Sequence, residues 1–162
     1  MSFSDVFPLL VFLGLNMAAA SSGAFFMPGQ WYEDLKKPRW RPPNWLFAPA
    51  WTVLFLMIAV SGWRIFEARG LAAWPELALY LGSLGLNGAW SWLFFGRRRP
   101  DQAFFELVAL WLSIAAMIVV FLPIDRTAGL LLVPYLCWVT FAGALNFAIW
   151  RLNREDILGK TP

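Results

Sequence analysis

Five runs without a single charged side chain, residues 6–32, 42–63, 77–96, 107–124 and 127–150, take up most of this 162-residue chain. Crossing the ~30 Å hydrocarbon layer of a bilayer takes about 20 apolar residues in a helix. A soluble domain has no place for five such stretches, and a mean hydropathy of +0.60 with 14% charged residues says the same. Inside hydrocarbon every backbone N–H and C=O must be paired within its own helix or within a closed barrel. Barrel strands would alternate apolar and polar residues over segments of about ten, and nothing here alternates. The expected fold is therefore an all-α integral membrane protein, a bundle of five transmembrane helices over about 6–27, 44–65, 75–96, 103–123 and 127–151. Most connections are short, so successive helices should be antiparallel neighbours in one domain spanning 1–162.

The exception is the loop at 28–43. From Trp31 to Trp51 the chain reads WYEDLKKPRWRPPNWLFAPAW, with four Trp, four Pro and four Lys or Arg in twenty-one positions. Pro38, Pro42 and Pro43 remove backbone donors and push their neighbours towards extended conformations, so a continuous helix is not expected. A disordered linker would be poor in aromatics. Trp31, Tyr32, Trp40 and Trp45 instead suit either an aromatic belt at the membrane interface or an ordered lid over a cavity.

Ala18-Ala19-Ala20 resembles a signal cleavage site, but the only charge upstream is Asp5 where a signal carries Lys or Arg, so the first span is expected to be retained. Five crossings divide the loops into two sets. One set holds Arg64, Arg69 and Arg126; the other holds the remaining ten basic residues, Lys36, Lys37, Arg39, Arg41, Arg97, Arg98, Arg99, Arg151, Arg154 and Lys160. The excess of positive charge on the cytoplasmic side of membrane proteins places the 28–43 loop and the C-terminus in the cytoplasm. A net charge of +3 then calls for no nucleic-acid partner.

The chain has no His and one Cys, Cys137. That leaves no metal site, no axial histidine for haem, no internal disulfide and no Ser-His-Asp or Cys-His nucleophile. The apolar runs lack the carboxylates that couple pumps to protons, and no inverted repeat is visible. Neutral polar groups do recur at helical spacing. Ser83, Asn87, Trp90 and Ser91 share one face of the third helix, while Ala78, Gly82, Gly85 and Ala89 form a small-residue stripe on the opposite side. Buried amides and indoles in hydrocarbon need partners, so the first face should point into the bundle or at a ligand; the second suits close approach of another helix, as in a homodimer. On the fifth helix Tyr135, Trp138, Ala142, Leu145 and Asn146 share a face, Trp51 and Phe55 lie one turn apart on the second, and Asn16, Ala20 and Gly23 make a small-residue face on the first. Together these faces describe an apolar chamber with few polar anchors, the usual make-up of a small-molecule site.

The run Trp31-Tyr32, Leu35, Lys37-Pro38, Trp40, Pro42-Pro43, Trp45, Phe47, Pro49, Trp51, followed by Asn87, Trp90, Phe94-Phe95-Gly96, Pro134-Tyr135-Leu136, Trp138, Leu145-Asn146 and Trp150-Arg151, closely resembles the translocator protein family, also called tryptophan-rich sensory protein, TspO or peripheral benzodiazepine receptor. The resemblance covers nearly the whole chain. It implies a five-helix bundle, commonly dimeric, whose first loop closes a pocket for porphyrins such as protoporphyrin IX, and in some members for cholesterol and benzodiazepine-type drugs. By position, Trp51 and Trp138 match the tryptophans thought to serve light- and oxygen-dependent porphyrin breakdown in bacterial relatives. Tyr32, Asn87, Trp90, Ala142, Leu145 and Asn146 match other pocket-facing positions. No cofactor is required; a porphyrin, protoporphyrin IX or haem-like, is the expected ligand, with lipids, sterols and drugs as further partners. Phe147 stands where the sterol motif of animal members has Tyr, so strong cholesterol binding is not expected. Ser83 and Trp92 also depart from the animal pattern. The resemblance thus points to a bacterial member in the inner membrane, with the outer membrane as the alternative. Three functions follow from it: a porphyrin-binding sensor that regulates tetrapyrrole or stress responses, a porphyrin-degrading enzyme, or a translocator of porphyrin or lipid.

Overall fold

The computed structural model describes residues 3–158, and among these there is no strand. In chain order the helices are α1 (Phe3–Phe25), α2 (Gln30–Asp34), α3 (Phe47–Arg69), α4 (Trp74–Ser91), α5 (Pro100–Phe121), α6 (Arg126–Leu131), α7 (Val133–Leu152) and α8 (Arg154–Leu158). Among the described residues, four stretches of helix are long and apolar enough to cross a membrane: Val6–Phe25, Asn44–Gly96, Pro100–Phe121 and Arg126–Leu152. The second is 53 residues long because α3 and α4 are joined by nothing more than a 3-10 turn, Gly70–Ala73. That turn opens on Gly70 at φ +56°, a left-handed conformation that a side chain would strain.

Most expected helix ends are displaced by a few residues, as at α3, which runs to Arg69 rather than 65, and two differences are of another kind. The helix expected over 127–151 is divided at Leu132 into α6 and α7. Pro134 is the cause: it has no N–H to offer the carbonyl of Leu130, and its ring crowds that carbonyl, so α7 starts afresh with Pro134 in its first turn, where no donor is missed. At the end of α4 the last turn, Trp92–Gly96, widens to a π-turn, closed by Arg97 N–H donating to Trp92 O at 2.8 Å.

α1 packs against α3 and α4, α4 against α5, α5 against α7, and α6 closes under α3. Three helices meet closely at Gly62, where a Cβ would lie 2.7 Å from the Tyr80 ring and 2.8 Å from the Phe12 ring. Neutral polar bonds tie the helices together, as hydrocarbon demands. Asn16 Nδ2 donates to Tyr80 Oη at 2.5 Å, and Tyr80 Oη donates to Ile58 O at 3.2 Å. Ser61 donates to Ala128 O, and Ser113 to Ser83. Arg64 grips Asp125 at 2.7 Å, and Asp125 in turn caps α6 by accepting from Ala128 N–H at 2.8 Å. The hydrogen bond from Arg64 holds the Asp125 carboxyl below the usual carboxylate range.

α4 shows the two faces read from its sequence. Ser83, Asn87 and Ser91 are buried, whereas Ala78, Gly82 and Gly85 are exposed and Ala89 is half-buried. α5 holds a residue that the sequence pattern puts just outside the fourth apolar run. Both carboxylate oxygens of Glu106 are buried without a hydrogen-bond partner.

Candidate functional site

The loop between α1 and α3 is built against α4 and α7. The short α2 turns Trp31 and Tyr32 inward, and Tyr32 is buried with its ring edge-on to Phe94 and Phe95 at 6.1 and 5.4 Å. The π-turn brings Phe94 and Phe95 to the same patch, and Trp90 stacks on Phe94 at 5.1 Å. Lys37 lies over the Tyr32 ring at 4.6 Å and donates to the carbonyls of Glu33 and Leu35, and its burial lowers the ammonium pKa from the usual lysine value. Between Pro38 and Pro42, Trp40 meets Phe141 of α7 edge-on at 5.9 Å.

One residue that the sequence pattern does not single out fixes this loop. Asn153, at the end of α7, accepts from Lys36 N–H and donates to Lys36 O, both at 2.9 Å, and also donates to Ile149 O. Its amide pairs with an extended backbone as a neighbouring strand would. The only hint in the sequence is a polar residue directly after an apolar helix.

Under the loop lies a cavity of about 660 Å³, well within the range of small-molecule sites. Nine of the ten residues expected to bind a ligand line it: Tyr32, Trp51, Phe55, Asn87, Trp90, Trp138, Ala142, Leu145 and Asn146. Tyr135 does not. It stands behind the wall, 1% exposed, where its hydroxyl accepts from Asn87 Nδ2 at 2.8 Å and its ring meets Trp51 at 6.3 Å. The two candidate catalytic indoles face one another edge-on, Trp51 and Trp138 at 6.3 Å, with Phe47 against Trp138 at 5.8 Å. The wall also includes Asn16, Ala20 and Gly23 of α1, the small-residue face noted in the sequence. Sequence reasoning missed Phe47, Phe94, Phe95, Leu107, Leu110 and Val139 as lining residues, since an aromatic or aliphatic residue on a helix reads equally well as core.

The wall's polar groups are largely engaged with one another. Trp90 Nε1 donates to Asn146 Oδ1 at 3.0 Å, and Asn146 Nδ2 donates to Pro100 O at 2.7 Å. This chain of bonds links α4, α7 and the start of α5 and fixes the orientation of the Trp90 ring. Asn87 is likewise committed to Tyr135. What remains for a ligand is chiefly a set of ring faces and edges beside the buried, unpartnered Oδ1 of Asn16, suited to a large apolar molecule with an extended π-system. The exposed stripe Ala78, Gly82, Gly85 and Ala89 is on the other side of α4 and takes no part in this cavity.

Residues 8–151 match the model of the TspO/MBR family. The chain is 46% identical over 140 residues to "Protein CrtK" of Rhodobacter capsulatus, covering 83% of this chain and 86% of that one. It is 40% identical over 144 residues to the "Tryptophan-rich sensory protein" of Cereibacter sphaeroides, covering 89% and 90%. Similarity extends to a mammal: the "Translocator protein" of Sus scrofa is 38% identical over 135 residues, covering 82% of this chain and 80% of that one.

Proposed function

Since this chain belongs to the TspO/MBR family of membrane proteins, we propose that it is a membrane receptor or sensor that binds a porphyrin of the protoporphyrin IX class in the cavity under the α1–α3 loop, and that occupancy regulates tetrapyrrole or stress responses. The observation that carries this reading is the cavity itself: about 660 Å³, walled by Trp51, Trp90, Trp138, Phe47, Phe55 and Tyr32, with Asn87 and Asn146 already bonded to Tyr135, Trp90 and Pro100. Such a wall favours a broad aromatic ring over a polar metabolite. The test is a tryptophan-quenching titration of the purified protein with protoporphyrin IX. Saturable quenching at one equivalent supports the reading, and no saturable quenching would end it.

The same reading includes five crossings, with the 53-residue stretch Asn44–Gly96 counted as two, since ~30 Å of hydrocarbon takes only about 20 residues. Arg64 and Arg69 are at one end of the bundle, beside Asp125 and Glu76, while Lys36 meets Asn153 at the other. The second end is the one we assign to the cytoplasm, on the inner membrane of a bacterium; the C-terminal residues themselves lie outside the described part of the chain. A homodimer is assigned to the exposed stripe of α4, where an added Cβ on Gly82 or Gly85 would meet nothing within 4 Å and a second helix could come close.

A second reading rests on the edge-on contact of Trp51 and Trp138 at 6.3 Å. Two easily oxidised indoles against one bound pigment would serve a light- and oxygen-dependent degradation of the porphyrin. Trp51→Phe and Trp138→Phe keep a π-face but lose the N–H and the oxidisable ring. They are expected to hold protoporphyrin IX within about tenfold, about 1.4 kcal/mol, and to slow its light-dependent loss strongly. Equal loss of pigment in wild type and both variants would dismiss the enzymatic reading and leave the receptor standing. Transport of porphyrin or lipid is the third candidate function, and flux into sealed vesicles tests it.

A further inference from the structure

The α1-facing flank of α3 changes character along its length. Towards Arg64 it is sealed: Ala59 is 0% exposed, Gly62 touches Phe12, and the Phe12 and Phe66 rings lie 6.3 Å apart. One to three turns nearer the loop, the same flank carries Leu56, which is 51% exposed, with Thr52 and Ala48 also exposed. α1 mirrors this pattern. Phe12 is 7% exposed, Met17 is 72% exposed, and Gly23 is exposed as well. All five of these exposed residues, Met17, Gly23, Ala48, Thr52 and Leu56, line the cavity. A residue that faces both the cavity and the outside marks an opening, so the two helices meet at Phe12–Gly62 and diverge towards the loop.

The rim of this gap suits hydrocarbon. The hydroxyl of Thr52 is turned back onto Ala48 O at 2.9 Å and needs no water. Met17, Gly23, Ala48 and Leu56 are small or flexible and apolar, and only where the rim reaches the loop, at Pro28 and Asn44, does a polar side chain join it. The loop, by contrast, is fastened at the far side of the cavity: Tyr32 is buried against Phe94 and Phe95, Lys36 is held at both backbone atoms by Asn153, and Trp40 packs on Phe141. Opening that way would break two partly buried hydrogen bonds and several ring contacts. The gap between α1 and α3 needs no bond broken.

We propose that the cavity is entered sideways from the bilayer, through the gap bordered by Met17, Gly23, Ala48, Thr52 and Leu56, so that its ligand is a membrane-dissolved molecule and the loop is a fixed roof. This rests on the reading of the cavity as a ligand site and adds its route of access. A doorway differs from a contact in its kinetics. Narrowing a path raises the barrier in both directions equally, whereas losing or gaining a contact changes mainly the off-rate.

The test is stopped-flow tryptophan quenching by protoporphyrin IX, with the full chain in phospholipid nanodiscs. Ala48→Phe and Thr52→Phe, made separately, are expected to slow association and dissociation together by at least about tenfold while the Kd stays within about threefold. In a Cys137→Ser background, the pair Lys36→Cys and Asn153→Cys fastens the loop to α7 when oxidised, and its rates are expected to stay within about twofold of the reduced form. Slowing by the oxidised bridge that a reductant reverses would overturn the proposal. So would narrowing variants whose rates are unchanged, or which alter only dissociation. Absence of quenching in the wild type would remove the ligand site and the doorway together, whereas quenching with bridge-dependent rates removes the doorway alone.

Discussion

Replacing Gly62 with alanine adds one methyl group at the point where α1, α3 and α4 meet. Its Cβ would lie 2.7 Å from Tyr80 Cε2 and 2.8 Å from Phe12 Cδ1 and Cε1, against about 3.5–4.0 Å for relaxed carbon contacts. Neither ring can yield cheaply. Tyr80 is 1% exposed and its hydroxyl is engaged with Asn16 and Ile58 O, while Phe12 sits edge-on to Tyr80 at 5.5 Å. Overpacking of this kind costs about 1–3 kcal/mol, offset by the roughly 0.5–1 kcal/mol that alanine gains over glycine inside a helix. The net expectation is a loss of about 1–2 kcal/mol. Gly14→Ala supplies the control: an added Cβ there meets nothing within 4 Å, so only the helix-propensity gain remains. The two variants should therefore move in opposite directions in detergent unfolding followed by tryptophan fluorescence. Equal midpoints for Gly62→Ala and Gly14→Ala would refute the claim that this junction sets how closely α1 approaches α3.

Asn153→Ala removes both bonds to the Lys36 backbone and should release the loop, at about 1–3 kcal/mol for two partly buried hydrogen bonds; faster hydrogen exchange confined to residues 28–43 would be the signature, and unchanged exchange would contradict it. Glu106→Leu should raise stability, because it replaces a carboxyl whose oxygens are buried without partners by a side chain that hydrocarbon accepts; a lower unfolding midpoint would reveal a partner for that carboxyl. The Asp125 carboxyl is held below its usual range by Arg64, so its contribution is fully present above the unfolded-state value of about 3.9 and is lost as pH falls through the depressed folded value. The stability difference between wild type and Asp125→Asn should thus be level from pH 8 to about pH 5 and shrink in stronger acid, and a difference that grows on acidification would reverse the assignment.

The helical class and the inward-facing residues were legible in the chain because hydrocarbon leaves few choices: uncharged runs must be helices, and neutral polar side chains at helical spacing must face one another. Ser83, Asn87 and Trp90 were therefore readable as an inward face before their partners Ser113, Tyr135 and Asn146 were known. The break at Leu132 was harder, since Pro134 is compatible with either a kink or a restart, and only the packing of α6 under α3 decides between them. Tyr135 shares a helical face with Trp138, but face membership gives direction and not depth, so its place behind the cavity wall was hidden. Asn153 was illegible for another reason. Its partner is the backbone of a residue 117 positions away, and backbone atoms leave no trace in side-chain patterns.

The π-turn at Trp92–Gly96 also bears on how the chain tolerates change in length. A turn closed from residue 97 back to 92 holds one residue more than an ordinary helical turn would. Deleting a single residue there would let the helix close at its normal pitch, so the backbone itself would lose little. The residues beyond it would then keep nearly their direction, because the wide turn already absorbs the extra residue. The same deletion made earlier in α4, where the pitch is already normal, would turn Phe95 by about 100° around the axis and carry it off the Tyr32 ring, so the register of the roof on α4 is a constraint written in residue count as much as in residue type.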